Sequence, residues 1–401
     1  MPKKEEKESQ TSHGKLNKNM NYIVTTVKHT KVVSLQVYVK VGSRDESDSY
    51  SGISHLLEHM IFKGSKLYPT SNDIEVHVYE CGGVFNAFTT QSETVYHIEC
   101  DIACVDMICK IMSDVLYHSL FSGETLEIEK NVVINELNQG LSDPQNVCVQ
   151  ALQRQIFKGT HLAKDIGGNE KSIKGINSNI LRNFINVFYK HGIVVSLVGD
   201  ISKQDGTALL KKYFPEVPTY ECKRLSEIHK DSERETYPKA TQTHHRLLEY
   251  FRRPILMKRT SGDIEYVYTK DTSEHSFIEV AYPAVAYDDI KGYYILLVIS
   301  ELLTGYMGIG LYQVLRNKHG LIYHIDSSID VLEDIGVLYI SCSCKNAKDI
   351  VRQTVQLLTT TVKDTSKDVN KRKLSTAKKN ILATMKLSTT DVHSIGVEHA
   401  Q

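Results

Sequence analysis

The feature that most constrains the fold of this chain is an internal duplication of its secondary-structure pattern. In the first half, strand-like alternation leads into a helix at SGISHLLEHMIF, which is followed by a second helix, two strands and two long helices. The same order returns after residue 262, beginning with the strand-like segment SFIEVAYP and the helical segment KGYYILLVISELL. The two copies share the order of elements but not the residues. The pattern predicts an α+β fold with two related domains, each a mainly antiparallel sheet with helices packed on one face.

Length and composition agree with two folded domains. A chain of 401 residues exceeds the size of one hydrophobic core, and 41% hydrophobic with 24% charged residues is typical of a globular protein. Residues 1–19 are polar and aperiodic, which predicts a disordered arm. We expect an N-terminal domain over residues 20–217, a linker over the charged and weakly periodic stretch 218–262, and a C-terminal domain over residues 263–401.

Charge and cysteine content bear on partners and compartment. The 48 Lys and Arg residues balance the 48 Asp and Glu residues, so the overall charge does not favour binding to nucleic acid. We expect no membrane span, because no apolar run is long enough. The N-terminal segment has neither the apolar core of a signal peptide nor the arginines of a transit peptide. The eight cysteines form no paired CxxC motif, which predicts reduced thiols and a cytoplasmic or other reducing compartment.

The segment HLLEH, residues 55–59, carries the most informative side chains. On a helix with ~100° per residue, His55 and His59 project ~40° apart, and Glu58 lies ~60° to the other side of His55. Two neutral imidazoles one turn apart can bind one Zn²⁺, which leaves the nearby carboxylate free to take a proton from a metal-bound water. This is the inverted HxxEH arrangement. The alternative interpretation is two histidines and a glutamate on an ordinary helix.

A catalytic zinc site also needs a third protein ligand and an open position. Glu129 and Glu136 lie seven residues apart on a predicted helix, ~20° from each other around its axis. The apolar residues Val132 and Val133 stand between them, so this acidic stripe flanks a buried surface. Unpaired buried carboxylates are costly, and a metal ion would explain two of them on one face. A solvated acidic helix face is the alternative.

Six segments together resemble the mitochondrial processing peptidase and pitrilysin family of inverted zincins. They follow the family's order at similar spacing, and the likeness covers about residues 22–390: GSRDES, GISHLLEHMIFKGS, CGGVFNAFTTQSETVYHIEC, EIEKNVVINELNQ, LVGDIS and LRNKHGLIYHIDSS. The resemblance implies one Zn²⁺ per chain, held by three ligands, His55, His59 and Glu136. It also implies that Glu58 is the general base and that Glu129 is the acid behind the ligands, in the place where such groups orient a metal site.

The resemblance further implies residues that bind substrate. The family's substrate-docking edge strand corresponds to four consecutive residues, Asn86, Ala87, Phe88 and Thr89. An edge strand offers unpaired backbone groups to an extended peptide. Arg316 and Tyr323 correspond to a pair that the family places over the zinc, where it can stabilise an oxyanion. Taken alone, these residues would be interpreted as an ordinary core strand, a surface arginine and a packed tyrosine.

These expectations describe a zinc-dependent endopeptidase that hydrolyses peptide bonds in extended peptides or presequences, with Glu58 as general base on a zinc-bound water. Because the chain has about half the length of the single-chain pitrilysin types, the resemblance implies a homodimer or a heterodimer with a related subunit. It leaves open whether the second domain is complete or truncated. One alternative is a catalytically silent assembly subunit. A third interpretation, a binding module with a structural zinc, is weaker because structural zinc sites are closed.

Overall fold

The structure, a computed structural model, describes three stretches of the chain, residues 9–221, 274–305 and 310–388. The predicted linker lies outside the described residues from residue 222 onward, as do the first eight residues of the predicted arm. No helix in the described stretches combines the length and the apolar character that crossing a bilayer requires.

The described residues form two compact units, which differ from the predicted domains at one segment. The first unit comprises residues 9–137 and 164–221, and the second comprises residues 138–163 together with the described residues from 274 to 387. Residues 138–163 were predicted to belong to the N-terminal domain, but they pack with the second unit in the structure. The other predicted domain limits stay predictions.

The first unit is built on a six-stranded sheet. Its strands are β1 Ser9–Lys15, β2 Met20–Val27, β3 Val32–Val39, β4 Val84–Thr89, β5 Thr94–Asp101 and β6 Ile193–Gly199. They lie in the order β1-β2-β6-β3-β5-β4, and all neighbours are antiparallel except β2 and β6. The predicted fold class, with mainly antiparallel sheets, is confirmed.

Helices of the first unit cover one face of this sheet. They are α1 Ile53–Ile61, α2 Ser71–Glu80, α3 Val105–His118, α4 Gly123–Ser142 as far as residue 137, α6 Glu170–Gly175, α7 Ser178–Phe188 and α8 Lys203–Tyr213. The core row of the sheet runs through Val24, Leu197, Leu35 and Ile98, which are neighbours in register on four adjacent strands and are all buried. Because side chains alternate across a strand, this row faces the helices while the next residues face away.

The predicted disordered arm is wrong for residues 9–15, which form strand β1. The segment SQTSHGK has no apolar alternation, so periodicity gave no strand signal. Its backbone pairs with β2 along the whole strand, from Ser9 opposite Val27 to Lys15 opposite Asn21. The strand is therefore stabilised by backbone hydrogen bonds at the edge of a sheet, which polar side chains permit.

The expectation of reduced thiols is wrong for one pair of cysteines. Cys81 and Cys104 form a disulfide, with their Cα atoms 5.9 Å apart. Cys81 follows the last residue of α2, and Cys104 precedes the first residue of α3. Sequence spacing gave no signal for this pair because the 22 intervening residues contain two strands that bring its members together.

The second unit repeats part of the first. Its strands are β7 His275–Ala284, β8 Ile322–Val331 and β9 Gly336–Lys345, in the antiparallel order β7-β9-β8. Its helices are α5 Pro144–Ile156, α9 Ile290–Thr304, a π-helix Tyr312–Lys318, α10 Lys348–Asp368 and α11 Lys371–Ser388. The order β7-β9-β8 matches β3-β5-β4, and in each case a helix follows the first strand of the three. The predicted duplication of elements is present in the described residues.

Helix α5 joins the second unit because it packs against β7. The Cys148 thiol donates a hydrogen bond to the carbonyl of Phe277 (3.5 Å). Just after α5, the buried side chains of Phe157 and Leu162 form a small core with Val337 of β9. These contacts explain why a segment from the first half of the sequence completes the second unit.

Candidate metal centre and active site

Helix α1 places the HLLEH residues on one side, as the sequence predicts. Its apolar face is buried in the core of the first unit and consists of Ile53, Leu56, Leu57, Met60 and Ile61. The other side carries His55, Glu58 and His59, whose potential ligand atoms all lie within 4.8 Å of one another. The two imidazole rings are 4.7 Å apart between their centroids. The helix is therefore anchored by its apolar face and presents a concentrated set of metal-binding atoms.

Glu136 of α4 completes a set of three converging donors. Its Oε2 atom lies 3.9 Å from His55 Nε2 and 3.5 Å from His59 Nε2. Two ligands of one tetrahedral zinc ion, each at ~2.0–2.1 Å, are ~3.4 Å apart, so these separations fit a shared ion. Burial, with a smaller contribution from His59, lowers the pKa of His55 to about 4, which keeps this imidazole in the neutral form that binds metals. The donor set therefore fits a zinc ion.

Glu129 lies behind the three donors. One of its carboxylate oxygens is 3.2 Å from His59 Nδ1, and the other is 2.9 Å from the ammonium of Lys63. The Glu129 side chain is only 7% exposed, whereas that of Glu136 is 47% exposed. A carboxylate on Nδ1 orients the ring and leaves Nε2 directed at Glu136 and any bound ion.

Glu58 has a different partner from the other acids. Its carboxylate accepts a hydrogen bond of 2.7 Å from the Thr89 hydroxyl, at the end of β4. Burial raises the pKa of Glu58, and the Glu136 carboxylate acts in the same direction, while the Thr89 hydrogen bond and His59 oppose them. A carboxylate with raised proton affinity, held next to the two imidazoles, is suited to accept a proton from water.

The predicted docking strand lies at the edge of the described sheet. Among the described strands, β4 pairs only with β5. Its residues Asn86, Ala87 and Phe88 are exposed or half-buried, and the Asn86 side chain accepts a hydrogen bond of 2.8 Å from the backbone N–H of Ala87. The role of these residues in binding substrate stays a prediction. Thr89 has the additional contact with Glu58, which the sequence did not indicate.

Arg316 and Tyr323 belong to the second unit, where they contact each other. The Arg316 guanidinium lies 4.4 Å from the centroid of the Tyr323 ring and donates a hydrogen bond of 3.2 Å to the carbonyl of Ile322. The Tyr323 side chain is exposed. The pairing agrees with a joint role, but their predicted action at the zinc stays a prediction.

Lys63, which contacts the buried acid Glu129, was not predicted from the sequence. No local signal pointed to it, because α1 ends at Ile61 and helical spacing does not apply to Lys63. Its importance becomes visible only when α4 brings Glu129 to it.

Comparison with known families matches most of the chain. Residues 22–170 match the model described as Insulinase (Peptidase family M16), and residues 175–381 match the Peptidase M16 inactive domain. The protein is 32% identical over 185 residues to the mitochondrial-processing peptidase subunit beta of Caenorhabditis elegans, which is 46% of this chain and 40% of that protein. It is 25% identical over 370 residues to the uncharacterized zinc protease YmxG of Bacillus subtilis, 90% of this chain and 80% of that protein.

A solved structure shares the fold over nearly the whole chain. A protease from Helicobacter pylori superposes with a TM-score of 0.79 at 21% identity and covers 98% of this chain and 88% of its own. At that identity the likeness supports the fold alone. The two family matches, which cover both halves of the chain, show that this chain belongs to peptidase family M16.

Proposed function

We propose that this protein is a zinc-dependent endopeptidase that cleaves extended peptides. The observation that carries the proposal is the convergence of His55 Nε2, His59 Nε2 and Glu136 Oε2, with the Glu58 carboxylate beside them and hydrogen-bonded to the Thr89 hydroxyl. Three donors and a separate proton acceptor are what a catalytic zinc site needs, since one position must stay open to water or substrate.

Each side chain has a distinct task in this proposal. When bound, zinc would supply Lewis acidity, which lowers the pKa of water and polarises a carbonyl. Glu58 accepts the proton of the attacking water and donates it to the leaving amine. The Glu129 carboxylate holds the His59 ring by its Nδ1 atom, and Lys63 balances the charge of that buried acid.

An extended peptide fits this site better than a folded substrate. Strand β4 ends at Thr89, which contacts Glu58, so a peptide that added to the free edge of β4 would pass next to the proton acceptor. Two relatives are named as beta subunits of mitochondrial-processing peptidase. We therefore include presequences among the candidate substrates and a homodimer or a heterodimer with a related subunit among the candidate assemblies. The predicted contributions of Arg316 and Tyr323 to oxyanion stabilisation are part of the same proposal.

The Glu58→Gln substitution tests the proposal directly. Glutamine keeps the shape and can still accept the Thr89 hydrogen bond, but it cannot accept a proton from water. General-base catalysis contributes roughly 10²–10⁴-fold, so kcat should fall by about 10³-fold while zinc content stays at one per chain. The measurements are zinc by atomic absorption and cleavage of a fluorogenic peptide, with and without a chelator.

Two results would contradict the proposal. Chelator-insensitive turnover by the purified wild-type chain would show that the reaction does not need zinc. Full turnover by the Glu58→Gln variant would show that Glu58 is not the general base. A chain that binds zinc but cleaves no peptide, alone or with a related subunit, would instead favour the catalytically silent assembly subunit.

A further inference from the structure

Glu46 is a fully buried carboxylate that caps the helix of the candidate metal site. It precedes α1 by seven residues and is 0% exposed. One oxygen accepts a hydrogen bond of 2.6 Å from the backbone N–H of Gly52, and the other accepts one of 2.8 Å from the N–H of Ser54. Both donors belong to the start of α1, where the helix leaves its first N–H groups without internal partners. Glu46 therefore fixes the first turn of α1, and His55 follows immediately.

The start of α1 does not use a cap from its own first residues. The N-cap position is Gly52, which has φ of 89° and no side chain that could accept a hydrogen bond. A Cβ atom at Gly52 would clash with the carbonyl of Gly167, so the close approach of another backbone segment requires glycine there. Burial raises the pKa of Glu46 to about 8, while the two backbone hydrogen bonds act against this. The distant acid thus supplies the cap even though its burial disfavours the ionised form.

The segment that carries Glu46 is also tied to the end of the docking strand. The backbone N–H of Ser43 donates to the carbonyl of Thr90 (3.1 Å), and that of Arg44 donates to the carbonyl of Gln91 (2.9 Å). Thr90 directly follows Thr89, whose hydroxyl contacts Glu58 on α1. The contacts therefore close a ring that runs from α1 through residues 43–46 to the end of β4 and back to α1.

We propose that Glu46 is a positioning residue, which through its hydrogen bonds to Gly52 and Ser54 fixes the direction of α1 relative to β4. The inference rests on the proposed function, since it concerns the alignment of the same zinc ligands and base. Helix α1 has only nine residues, so a change at its first turn moves all three HLLEH side chains. Metal coordination tolerates changes of only ~0.2 Å in ligand distance, and a displacement of ~1 Å costs ~10²-fold in catalysis.

Two substitutions at Glu46 give a graded test. Glu46→Ala removes both acceptors, and Glu46→Gln keeps one. Loss of a group that orients metal ligands typically weakens metal affinity by about 10–100-fold, so we expect Glu46→Ala to fall in that range and Glu46→Gln to lose less than tenfold. In a peptidase assay, kcat should fall in the same order while KM changes little, because β4 still binds the peptide. Zinc affinity is measured by competition with a chromophoric chelator, so this readout does not depend on hydrolysis.

Asp73 provides the matched control. Its carboxylate accepts the backbone N–H of Thr70 (2.9 Å) at the start of α2 and so caps a helix of the same unit that holds none of the candidate ligands. Asp73→Ala and Asp73→Asn should lower the melting temperature without changing zinc affinity or kcat. All variants are compared well below their melting temperatures.

The possible outcomes separate this inference from the proposed function. Wild-type zinc affinity and kcat in folded Glu46→Ala would overturn it, and if that variant does not fold, wild-type values in Glu46→Gln would do the same. Equal losses in the Asp73 variants would show a general effect of destabilisation and also overturn it. If the wild-type chain binds zinc but cleaves no peptide, the proposed function fails, yet a graded loss of zinc affinity would still support Glu46 as a positioning residue. If the wild-type chain does not bind zinc, both the proposed function and the positioning role of Glu46 are wrong.

Discussion

Each unit has a helix after an equivalent strand, but the side chains that the two helices present away from the core differ in polarity. Helix α1 in the first unit presents His55, Glu58 and His59 on the side away from the core. Helix α9 in the second unit presents Ile295 and Ile299, which are exposed and, like the two histidines, four residues apart. The same arrangement of strands and helices therefore carries a candidate metal-binding surface in one unit and an apolar surface in the other. The chemistry depends on side chains added to a shared scaffold.

The helices that contact α1 and α9 also differ in charge. Helix α4 directs two carboxylates, Glu129 and Glu136, at the imidazoles of α1. The corresponding helix in element order, α11, has six Lys and Arg residues and no Asp or Glu. In the second unit the carboxylate lies on α9 and not on the neighbouring helix: the Asn380 amide of α11 donates a hydrogen bond to the Glu301 carboxylate of α9 (3.2 Å). A cation is therefore favoured by the neighbouring helix only in the first unit.

The largest effect is expected when α1 is made like α9. The double substitution His55→Ile and His59→Ile removes both imidazoles and keeps the helix, because isoleucine is tolerated on α9 in the equivalent place. Zinc binding and peptide cleavage should both be lost completely, since Glu136 alone cannot hold the ion. Calorimetric titration with zinc measures the loss of binding, and circular dichroism checks that the fold is retained.

The matched control for this variant replaces two other histidines of the first unit. His77→Ile with His118→Ile leaves the candidate ligands intact and should keep one zinc per chain. Tight zinc binding by the His55/His59 variant, or its loss in the control, would mean that the difference between the units does not lie in the HLLEH motif.

A smaller effect is expected at Thr89, whose hydroxyl has no role in the coordination. Thr89→Val removes the hydrogen bond to Glu58, which is worth ~1 kcal/mol, so kcat/KM should fall about three- to tenfold with unchanged zinc affinity. The hydrogen bond lowers the pKa of Glu58, so its loss raises this pKa and moves the acidic limb of the pH profile to higher pH. Thr89→Ser should restore both values. If the acidic limb does not move in the valine variant, the ionisation that limits the rate at low pH is not that of Glu58.

Local patterns in the sequence were sufficient for most of the elements and for the HLLEH side chains. The period of α1 predicts that His55 and His59 share a side, and the structure has their rings 4.7 Å apart. Strand β1 was missed because its stability comes from backbone pairing, which polar residues do not signal. The contacts of Glu46, Lys63 and Thr89 were also missed, since each connects segments that only the folded chain brings together. A cap that lies seven residues before its helix is outside the local rules for helix starts.

The smallest effect is expected from the reverse exchange, Ile295→His with Ile299→His on α9. This variant gives the second unit two imidazoles one turn apart, which is the sequence signal that pointed to a metal in the first unit. We expect no second tightly bound zinc, because α11 supplies no carboxylate, and Glu301 lies ~200° around the helix axis from residue 299. Calorimetric titration should still give one tight zinc per chain. A second zinc of equal affinity would show that the two histidines suffice and that the acids of α4 are not what distinguishes the units.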